Sequence, residues 1–290
     1  MPTRTASLRP NSKVHGGVIA GQALRRAYVR VMGARIAAIT ETDAVDLIVD
    51  AAMTGCGHWT ITANLDHLRQ YQREPVVRSL VDAADLVLAD GTPLIWASRL
   101  AGTPLPERVA GSNMIWSLSE SASQRDIPIF LLGGDRGVAE RAAEVLRGRY
   151  PGLTVAGTLC PPRGFDSDQS ELERIRTAVV LASPQIVFVG LGFPKQDLLI
   201  EHLRPFLPGA AFVGVGISLS FVAGEVTRAP GWTHNLGLEW LFRLLQEPRR
   251  LVRRYVGHGV PFLVRLLLSA ASYRVKSGTD MPGWGWDLLP

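Results

Sequence analysis

The sequence predicts an α/β fold in which a mostly parallel sheet is covered by helices on both faces. Two observations support this prediction. Short apolar runs alternate with amphipathic segments of helical length along most of the chain. Three of the apolar runs also end in glycine-rich turns, namely LLGGDRG, VGLGFPKQ and VGVGIS. Strands separated by helices of this length are typical of a parallel sheet with two covered faces.

Composition narrows the class of protein. The chain has 290 residues, of which 47% are hydrophobic and 20% charged, enough for one large domain or two smaller ones. The net charge of +5 suits an anionic partner such as a nucleotide, a nucleic acid or a membrane surface. The two cysteines, Cys56 and Cys160, form no CxxC or Cys/His cluster, which argues against a disulfide framework or a zinc site and favours the cytoplasm. The N-terminus has no apolar run like that of a secretory signal, and no window reaches the roughly 18 apolar residues of a membrane span.

The first half of the chain begins with an acid-free basic segment, residues 1–26, which we interpret as a flexible extension. Tyr28–Ile39 alternates weakly and predicts a strand pair or an edge ribbon. Thr42-Asp43 opens a helical pattern that ends at Gly55. The next elements are a strand at Trp59–Thr62, a helix carrying Leu65, Leu68 and Tyr71, a strand at Leu86–Leu88 and a helix through Ile95–Leu100.

The second half continues the alternation up to about Gly224, so residues 27–224 are predicted to form one α/β domain. Its helices are predicted at Ser112–Gln124, Gly137–Tyr150, Ser170–Ser183 and from about Lys195, and its strands at Ile127–Leu132, Leu153–Thr158, Ile186–Val189 and Ala211–Gly214.

The composition changes after this domain. Residues 243–276 contain eight Lys or Arg and one acid, interleaved with apolar residues, and Pro248 and Pro261 delimit two helices. Residues 225–276 are therefore predicted to form a basic helical appendage. Basic amphipathic helices suit an anionic membrane surface, but a core-packing helix pair with a solvated basic face fits the pattern equally well. Residues 277–290 are assigned as a tail without further interpretation.

The stretch AADLVLADG, residues 83–91, places Asp90 at the end of a short apolar strand. In an open α/β sheet the ends at which strands pass into helices form the ligand crevice. Asp90 is therefore a candidate functional carboxylate. The alternative is that it caps the helix that begins near Pro93.

The glycine-rich turns allow a backbone to approach a phosphate closely. None of them completes G-x-G-x-x-G with an acidic residue about 20 positions further on. Glycine after a strand also forms ordinary turns. The three turns together favour a nucleotide site without selecting the nucleotide.

Several segments resemble one known family. RAPGWTHNLGLEWLFRLLQEPRRLVRRY, residues 228–255, resembles the C-terminal signature of the WecG/TagA/CpsF glycosyltransferases. TANLDHL, ADGTPLIW, ERVAGSN and GLGFPKQD follow the order of the family's other motifs. The resemblance runs from about Tyr28 to Leu267.

The resemblance implies a Rossmann-like α/β domain and a UDP-sugar-dependent hexosyltransferase. Such an enzyme moves a sugar, N-acetylmannosamine in the prototypes, to a polyprenyl-diphosphate-linked sugar during cell-surface polysaccharide synthesis. Transfer inverts the anomeric carbon and uses no metal or other cofactor. The implied location is cytoplasmic and peripheral, on the inner face of the cell membrane, with the appendage touching an anionic surface. No nucleic-acid partner is implied, and a homo-oligomer is compatible with these features.

The resemblance also assigns site residues one by one. Asp90 matches the proposed catalytic Asp, and it is expected to take the proton of the acceptor hydroxyl. Arginines matching the family's appendage are expected to stabilise the departing diphosphate. The substrate-binding positions implied in this way are Thr62, Asn64, Arg108, Gln196, Arg243, Arg250 and Arg253.

Four motifs depart from the pattern of many members, which leaves the donor sugar open. The departures are at Ala89, Asn113, Asp197-Leu198-Leu199 and Ser220. Two other classes of function are kept as alternatives. A Rossmann-type oxidoreductase would share the parallel sheet and glycine-rich turns, but the acidic residue that reads the ribose is missing at the usual spacing. A non-enzymatic membrane or nucleic-acid adaptor would use the basic appendage but leaves Asp90 unexplained.

Overall fold

The computed structural model describes residues 28–227, 257–275 and 284–287. A six-stranded sheet lies at the centre, with the strand order β4-β3-β8-β7-β5-β6 and every neighbouring pair parallel. Its strands are β3 (His58–Ala63), β4 (Leu86–Ala89), β5 (Ile129–Gly133), β6 (Val155–Leu159), β7 (Ile186–Gly190) and β8 (Ala211–Gly214). This sheet confirms the predicted α/β class.

Helices cover both faces of the sheet, as predicted. They are α1 (Glu41–Thr54), α2 (Leu65–Arg73), α3 (Pro75–Ala83), α4 (Thr92–Ala101), α5 (Gly111–Ser123), α6 (Val138–Arg149), α7 (Gln169–Ala182), α8 (Lys195–Leu203), α9 (Ser218–Val222) and α10 (Val260–Val275). Alternate strand residues feed two separate hydrophobic clusters. Helices α1, α5, α6 and α9 pack on the face that includes Leu88 and Phe188. Helices α2, α3, α4, α7, α8 and α10 pack on the face that includes Trp59 and Val187.

A second, small sheet lies beside the edge strand β4. The predicted strand pair at Tyr28–Ile39 is an antiparallel hairpin of β1 (Tyr28–Val31) and β2 (Ala34–Ala37). A strand near the other end of the chain, β9 (Trp284–Asp287), pairs antiparallel with β1 and makes the order β2-β1-β9. The segment assigned as a tail thus contributes a strand to the fold.

Helix α10 confirms the helix expected after Pro261 and shows how its inner side is used. Phe262, Leu266 and Ala270 are buried in the same cluster as α4. The Arg274 guanidinium Nη1 donates to the carbonyl oxygen of Arg99 at 3.5 Å. The C-terminal ends of α10 and α4 therefore lie together, and the N-terminal end of α10 points towards the edge of the sheet where α4 begins. Within the described ranges, no helix has both the length and the hydropathy needed to cross a membrane.

Candidate active site

Two predicted site residues meet at the carboxyl ends of β3 and β4. These strands pair in parallel with Ala63 opposite Ala89, so the residues that follow them, Asn64 and Asp90, leave the sheet side by side. The backbone N–H of Asp90 donates to the carbonyl oxygen of Ala63 at 2.8 Å, which fixes this arrangement. The site thus stands on rigid strands at the edge where ligands of open α/β sheets bind.

The Asp90 carboxylate does not cap α4. Gly91 occupies the N-cap position of that helix, and no side chain caps it. Asp90 Oδ2 instead accepts the backbone N–H of Gly111, the first residue of α5, at 3.3 Å. The alternative of a local cap is therefore wrong, because the carboxylate bonds to the start of a different helix, 21 residues further along the chain.

Arg108 lies against the same carboxylate. Its Nη1 is 3.9 Å from Asp90 Oδ1, and the two side chains are 19% and 28% exposed. Both groups can thus be reached by a ligand while their positions are held by the scaffold. An exposed carboxylate can accept a proton, and an adjacent guanidinium can bind a phosphate or diphosphate through two parallel hydrogen bonds.

Thr62 lies one layer deeper, between β3, β8 and α5. Its hydroxyl is buried and donates to the carbonyl oxygen of Gly214 at 3.0 Å. A Cβ added at Gly111 would lie 3.0 Å from this hydroxyl oxygen and 3.2 Å from the Cα of Val215. Thr62 therefore joins the ends of two neighbouring strands directly beneath the N–H that binds Asp90.

Asn64 lies at the candidate site and also caps the helix α2. Its amide oxygen accepts the backbone N–H of Asp66 at 2.9 Å and thereby caps α2, and it lies 2.9 Å from His67 Nδ1. The buried His67 ring stacks on Phe193, with centroids 4.0 Å apart, and so connects α2 to the turn after β7. His67 was not among the predicted site residues, although its spacing of three residues from Asn64 is that of a capping box.

Gln196 is buried rather than open to a ligand, with 2% of the residue exposed. Its side-chain oxygen accepts the backbone N–H of Gly216 at 3.0 Å. A Cβ at Gly214 would come within 2.6 Å of its amide nitrogen, so the absence of a side chain there makes room for the amide. Gln196 thus holds the turn after β8, and any contact with substrate would pass through that turn.

Beneath Gln196 lies Asp197, a fully buried carboxyl group that the sequence analysis did not select as a site residue. The indole N–H of Trp59 donates to its Oδ1 at 3.3 Å, and within the described part of the chain its Oδ2 has no hydrogen-bond partner. Burial raises the pKa of Asp197 to about 7, although hydrogen bonds from Gln196 and Trp59 act in the opposite direction. The turn after β8 therefore rests on a carboxyl group that titrates near neutral pH.

Replacing Asp197 with asparagine should remove a pH dependence of stability. In the native protein this carboxyl keeps its proton up to about pH 7, whereas in the unfolded chain it loses the proton near pH 4. Since the native state binds the extra proton, the free energy of unfolding should fall as pH rises through this window, by about 1.4 kcal/mol per unit. Urea unfolding at several pH values should therefore show that the free energy of unfolding of Asp197→Asn rises relative to that of the unsubstituted protein as pH rises. A difference that is constant with pH would contradict this.

Three glycine-rich strand ends continue the same edge of the sheet, after β8, β7 and β5. Neighbouring strands are about 4.8 Å apart, so the edge from β4 to β5 is roughly 19 Å long. Some of these glycines are explained by packing alone, since a Cβ at Gly133 would lie 2.4 Å from the carbonyl oxygen of Gly190. Among the residues that the structure describes, no atom lies within 4 Å of a Cβ added at Gly192 or Gly216. These two turns therefore leave space for a ligand.

The three remaining predicted site residues, Arg243, Arg250 and Arg253, lie outside the described residues. Among the side chains that the structure describes, no group of three or more His, Cys, Asp or Glu is placed to hold a metal ion. The described part of the site thus contains Asp90, Arg108 and Asn64 at the surface, with Thr62 and Gln196 supporting them from below.

A family profile and two curated relatives that match this chain all carry glycosyltransferase names. The profile described as "Glycosyl transferase WecG/TagA/CpsF family" matches residues 29–276. A Bacillus spizizenii protein named N-acetylglucosaminyldiphosphoundecaprenol N-acetyl-beta-D-mannosaminyltransferase is 32% identical over 194 residues, which cover 67% of this chain and 73% of the relative. A Bacillus subtilis protein of the same name is 31% identical over 174 residues, which cover 60% of this chain and 66% of the relative.

Proposed function

This chain belongs to the WecG/TagA/CpsF family of glycosyl transferases, and from that premise we propose that it transfers a sugar from a UDP-sugar to a polyprenyl-diphosphate-linked sugar. The names of the two Bacillus relatives give an N-acetylmannosaminyl group as the transferred sugar and N-acetylglucosaminyldiphosphoundecaprenol as the acceptor. For this chain we propose the same chemical classes of donor and acceptor. The observation that carries the proposal is the pairing of Asp90 with Arg108 at the ligand edge of the sheet.

In the proposed reaction Asp90 is the general base. The acceptor hydroxyl oxygen attacks the anomeric carbon of the donor while its proton passes to the Asp90 carboxylate. The bond between that carbon and the diphosphate oxygen breaks, and UDP leaves with the electron pair. A single displacement of this kind inverts the anomeric carbon and requires one carboxylate.

The departing diphosphate gains negative charge, which must be stabilised in the transition state. Arg108 supports this role because its guanidinium lies at the same edge as the base. Arg243, Arg250 and Arg253 are proposed to add positive charge from the appendage. The turns at Gly192 and Gly216 are proposed to receive the nucleotide, since they border open space beside the site.

We also propose that the protein works as a peripheral protein at an anionic membrane surface. The acceptor in the proposed reaction is lipid-linked, so the site must reach the surface of a bilayer. The chain carries a net charge of +5, and α10 exposes apolar side chains. Both features favour adsorption to anionic lipid.

A panel of UDP-sugars offered with a synthetic lipid-diphosphate acceptor tests the proposal. We expect one donor to give a product heavier than the acceptor by one sugar residue, with one UDP released per product, as read by mass spectrometry and a UDP assay. Activity should be unchanged by EDTA. Failure of every UDP-sugar would contradict the proposed donor class, and loss of activity with EDTA would contradict a metal-free reaction. NADH binding in a fluorescence titration would instead favour the oxidoreductase.

A further inference from the structure

Helix α10 carries an exposed apolar stripe. Val260, Val264 and Leu268 recur every four residues, and each is about half or more exposed, at 48%, 51% and 63%. Residues at this spacing lie along one side of a helix. The opposite side is buried in the core, and residues 257–275 include no Asp or Glu. The stripe is therefore an outward-facing apolar surface on an acid-free helix.

A cleft lined by arginines opens beside this stripe. It has a volume of about 660 Å³ and lies between α10, α2, α3 and the β1–β2 hairpin. We call it the arginine cleft, and its lining includes Arg30, Arg78, Arg265, Tyr71, Gln72 and Ser269. Arg265 directly follows Val264, and successive residues are about 100° apart around a helix. The rim of the cleft thus adjoins the apolar stripe.

Two arginines of the cleft donate hydrogen bonds to backbone carbonyl oxygens. Arg30 Nη1 donates to the carbonyl oxygen of Gly33 at 3.4 Å, and Arg78 Nε donates to that of Tyr71 at 3.4 Å. The Tyr71 hydroxyl at this cleft donates to the Asp82 carboxylate at 3.1 Å. Arg30, Arg78 and Arg265 thus line one cleft, and the described residues of its lining include no Asp or Glu.

We propose that the arginine cleft binds the phosphate group of an anionic membrane lipid while the apolar stripe lies among the acyl chains. An amphipathic helix lying in the interface buries its apolar side at the boundary between headgroups and acyl chains. A phosphate at the adjoining rim would then sit at headgroup depth, and arginine suits phosphate through paired hydrogen bonds. This inference rests on the proposed membrane role and adds a headgroup site formed mainly by the α/β domain.

The orientation of α10 supports this choice of ligand. Its C-terminal end lies beside the C-terminal end of α4, at the carbonyl of Arg99, and α4 starts two residues after Asp90. A bilayer along the outer side of α10 would therefore extend towards the edge of the sheet that carries Asp90. A lipid phosphate held in the cleft would fix the direction from which a lipid-linked acceptor reaches that edge.

The test uses the full chain and vesicles of phosphatidylcholine with or without phosphatidylglycerol. The double variant Arg30→Gln/Arg78→Gln should bind phosphatidylglycerol vesicles about 30-fold more weakly in sedimentation, about fivefold per arginine, and neutral vesicles as before. The control Arg174→Gln/Arg176→Gln makes the same charge change on α7, away from the cleft, and should change binding far less. Val264→Asn/Leu268→Asn should weaken binding to both kinds of vesicle.

Three results would overturn the proposal. The first is equal loss of phosphatidylglycerol binding in the cleft variant and the α7 control, which would indicate a general charge effect. The second is weaker binding of inorganic phosphate in calorimetry with unchanged vesicle binding, which would indicate a site for free anions. The third is unchanged vesicle binding with loss of transfer to a water-soluble acceptor, which would place the cleft in the substrate site. If neither the unsubstituted protein nor any variant shows transferase activity, the vesicle results still test whether the arginine cleft binds a lipid phosphate.

Discussion

Replacing Asp90 with asparagine should lower the turnover number for sugar transfer by about 10²–10⁴-fold, the usual contribution of a positioned general base. The amide has nearly the shape of the carboxylate, and its oxygen can still accept the N–H of Gly111. It cannot take the proton of the acceptor hydroxyl. Thermal stability and UDP affinity, measured by calorimetry, should therefore stay close to those of the unsubstituted protein.

The same strand supplies a matched control for this substitution. Asp85 precedes β4 at its opposite end, accepts the backbone N–H of Trp59 at 2.8 Å and lies 3.6 Å from Arg204. Asp90 has the same kinds of partner, one backbone N–H and one arginine. Asp85→Asn should therefore keep near-normal transfer. Normal turnover in Asp90→Asn, or an equal loss in both variants, would show that Asp90 is not the base.

Replacing Gly133 with alanine should lower the free energy of unfolding by about 3 kcal/mol, near the upper end for overpacking a core. Gly133 has a φ of 131°, which side-chain-bearing residues rarely adopt. The new Cβ would lie 2.4 Å from the carbonyl oxygen of Gly190, in the neighbouring strand. Because both groups are backbone at the ends of two paired inner strands, relief would require these strand ends to move apart.

A second glycine, Gly148, provides a control in which substitution by alanine should raise the free energy of unfolding. Gly148 is the second-last residue of α6, and in the described part of the chain no atom lies within 4 Å of a Cβ added there. Gly148 has a helical conformation that alanine adopts readily, so Gly148→Ala should raise the free energy of unfolding by about 0.4–1 kcal/mol, chiefly by restricting the unfolded chain. Urea unfolding of the two variants measures both effects. A Gly133→Ala protein as stable as the unsubstituted one would contradict the close packing of β5 and β7.

Hydropathy patterns predicted most of the fold because buried parallel strands and amphipathic helices are local signals. The helix α3 was missed, although Val77, Leu80 and Val81 have helical spacing. Only Glu74 separates α2 from α3, which begins at Pro75, so no loop in the sequence marks the start of a second helix. The strand β9 was also missed, because the sequence of four residues near the end of the chain does not indicate that they pair with a strand about 250 residues earlier.

The candidate site was less predictable than the fold. The sequence places Asp90 at a strand end, but only the structure gives its partners, Arg108 and the first N–H of α5. Gln196 was expected to bind substrate. Nothing in the sequence indicates that the absence of a side chain at Gly214 leaves room for the Gln196 amide to be buried. Asp197 looks like an ordinary polar residue in the first turn of a helix. In the structure it is buried and accepts a hydrogen bond from Trp59, which is distant in sequence.

The packing of α10 and β9 changes how the role of the appendage can be studied. Truncation after Gly224 would remove Phe262, Leu266 and Ala270 from the interior, together with the strand that pairs with β1. A shortened protein would expose the core side of α4 and leave one backbone edge of β1 unpaired, which invites aggregation. Inactivity of the shortened protein could therefore result from a disrupted fold as well as from loss of a membrane contact. Point substitutions on the outer side of α10 avoid this ambiguity.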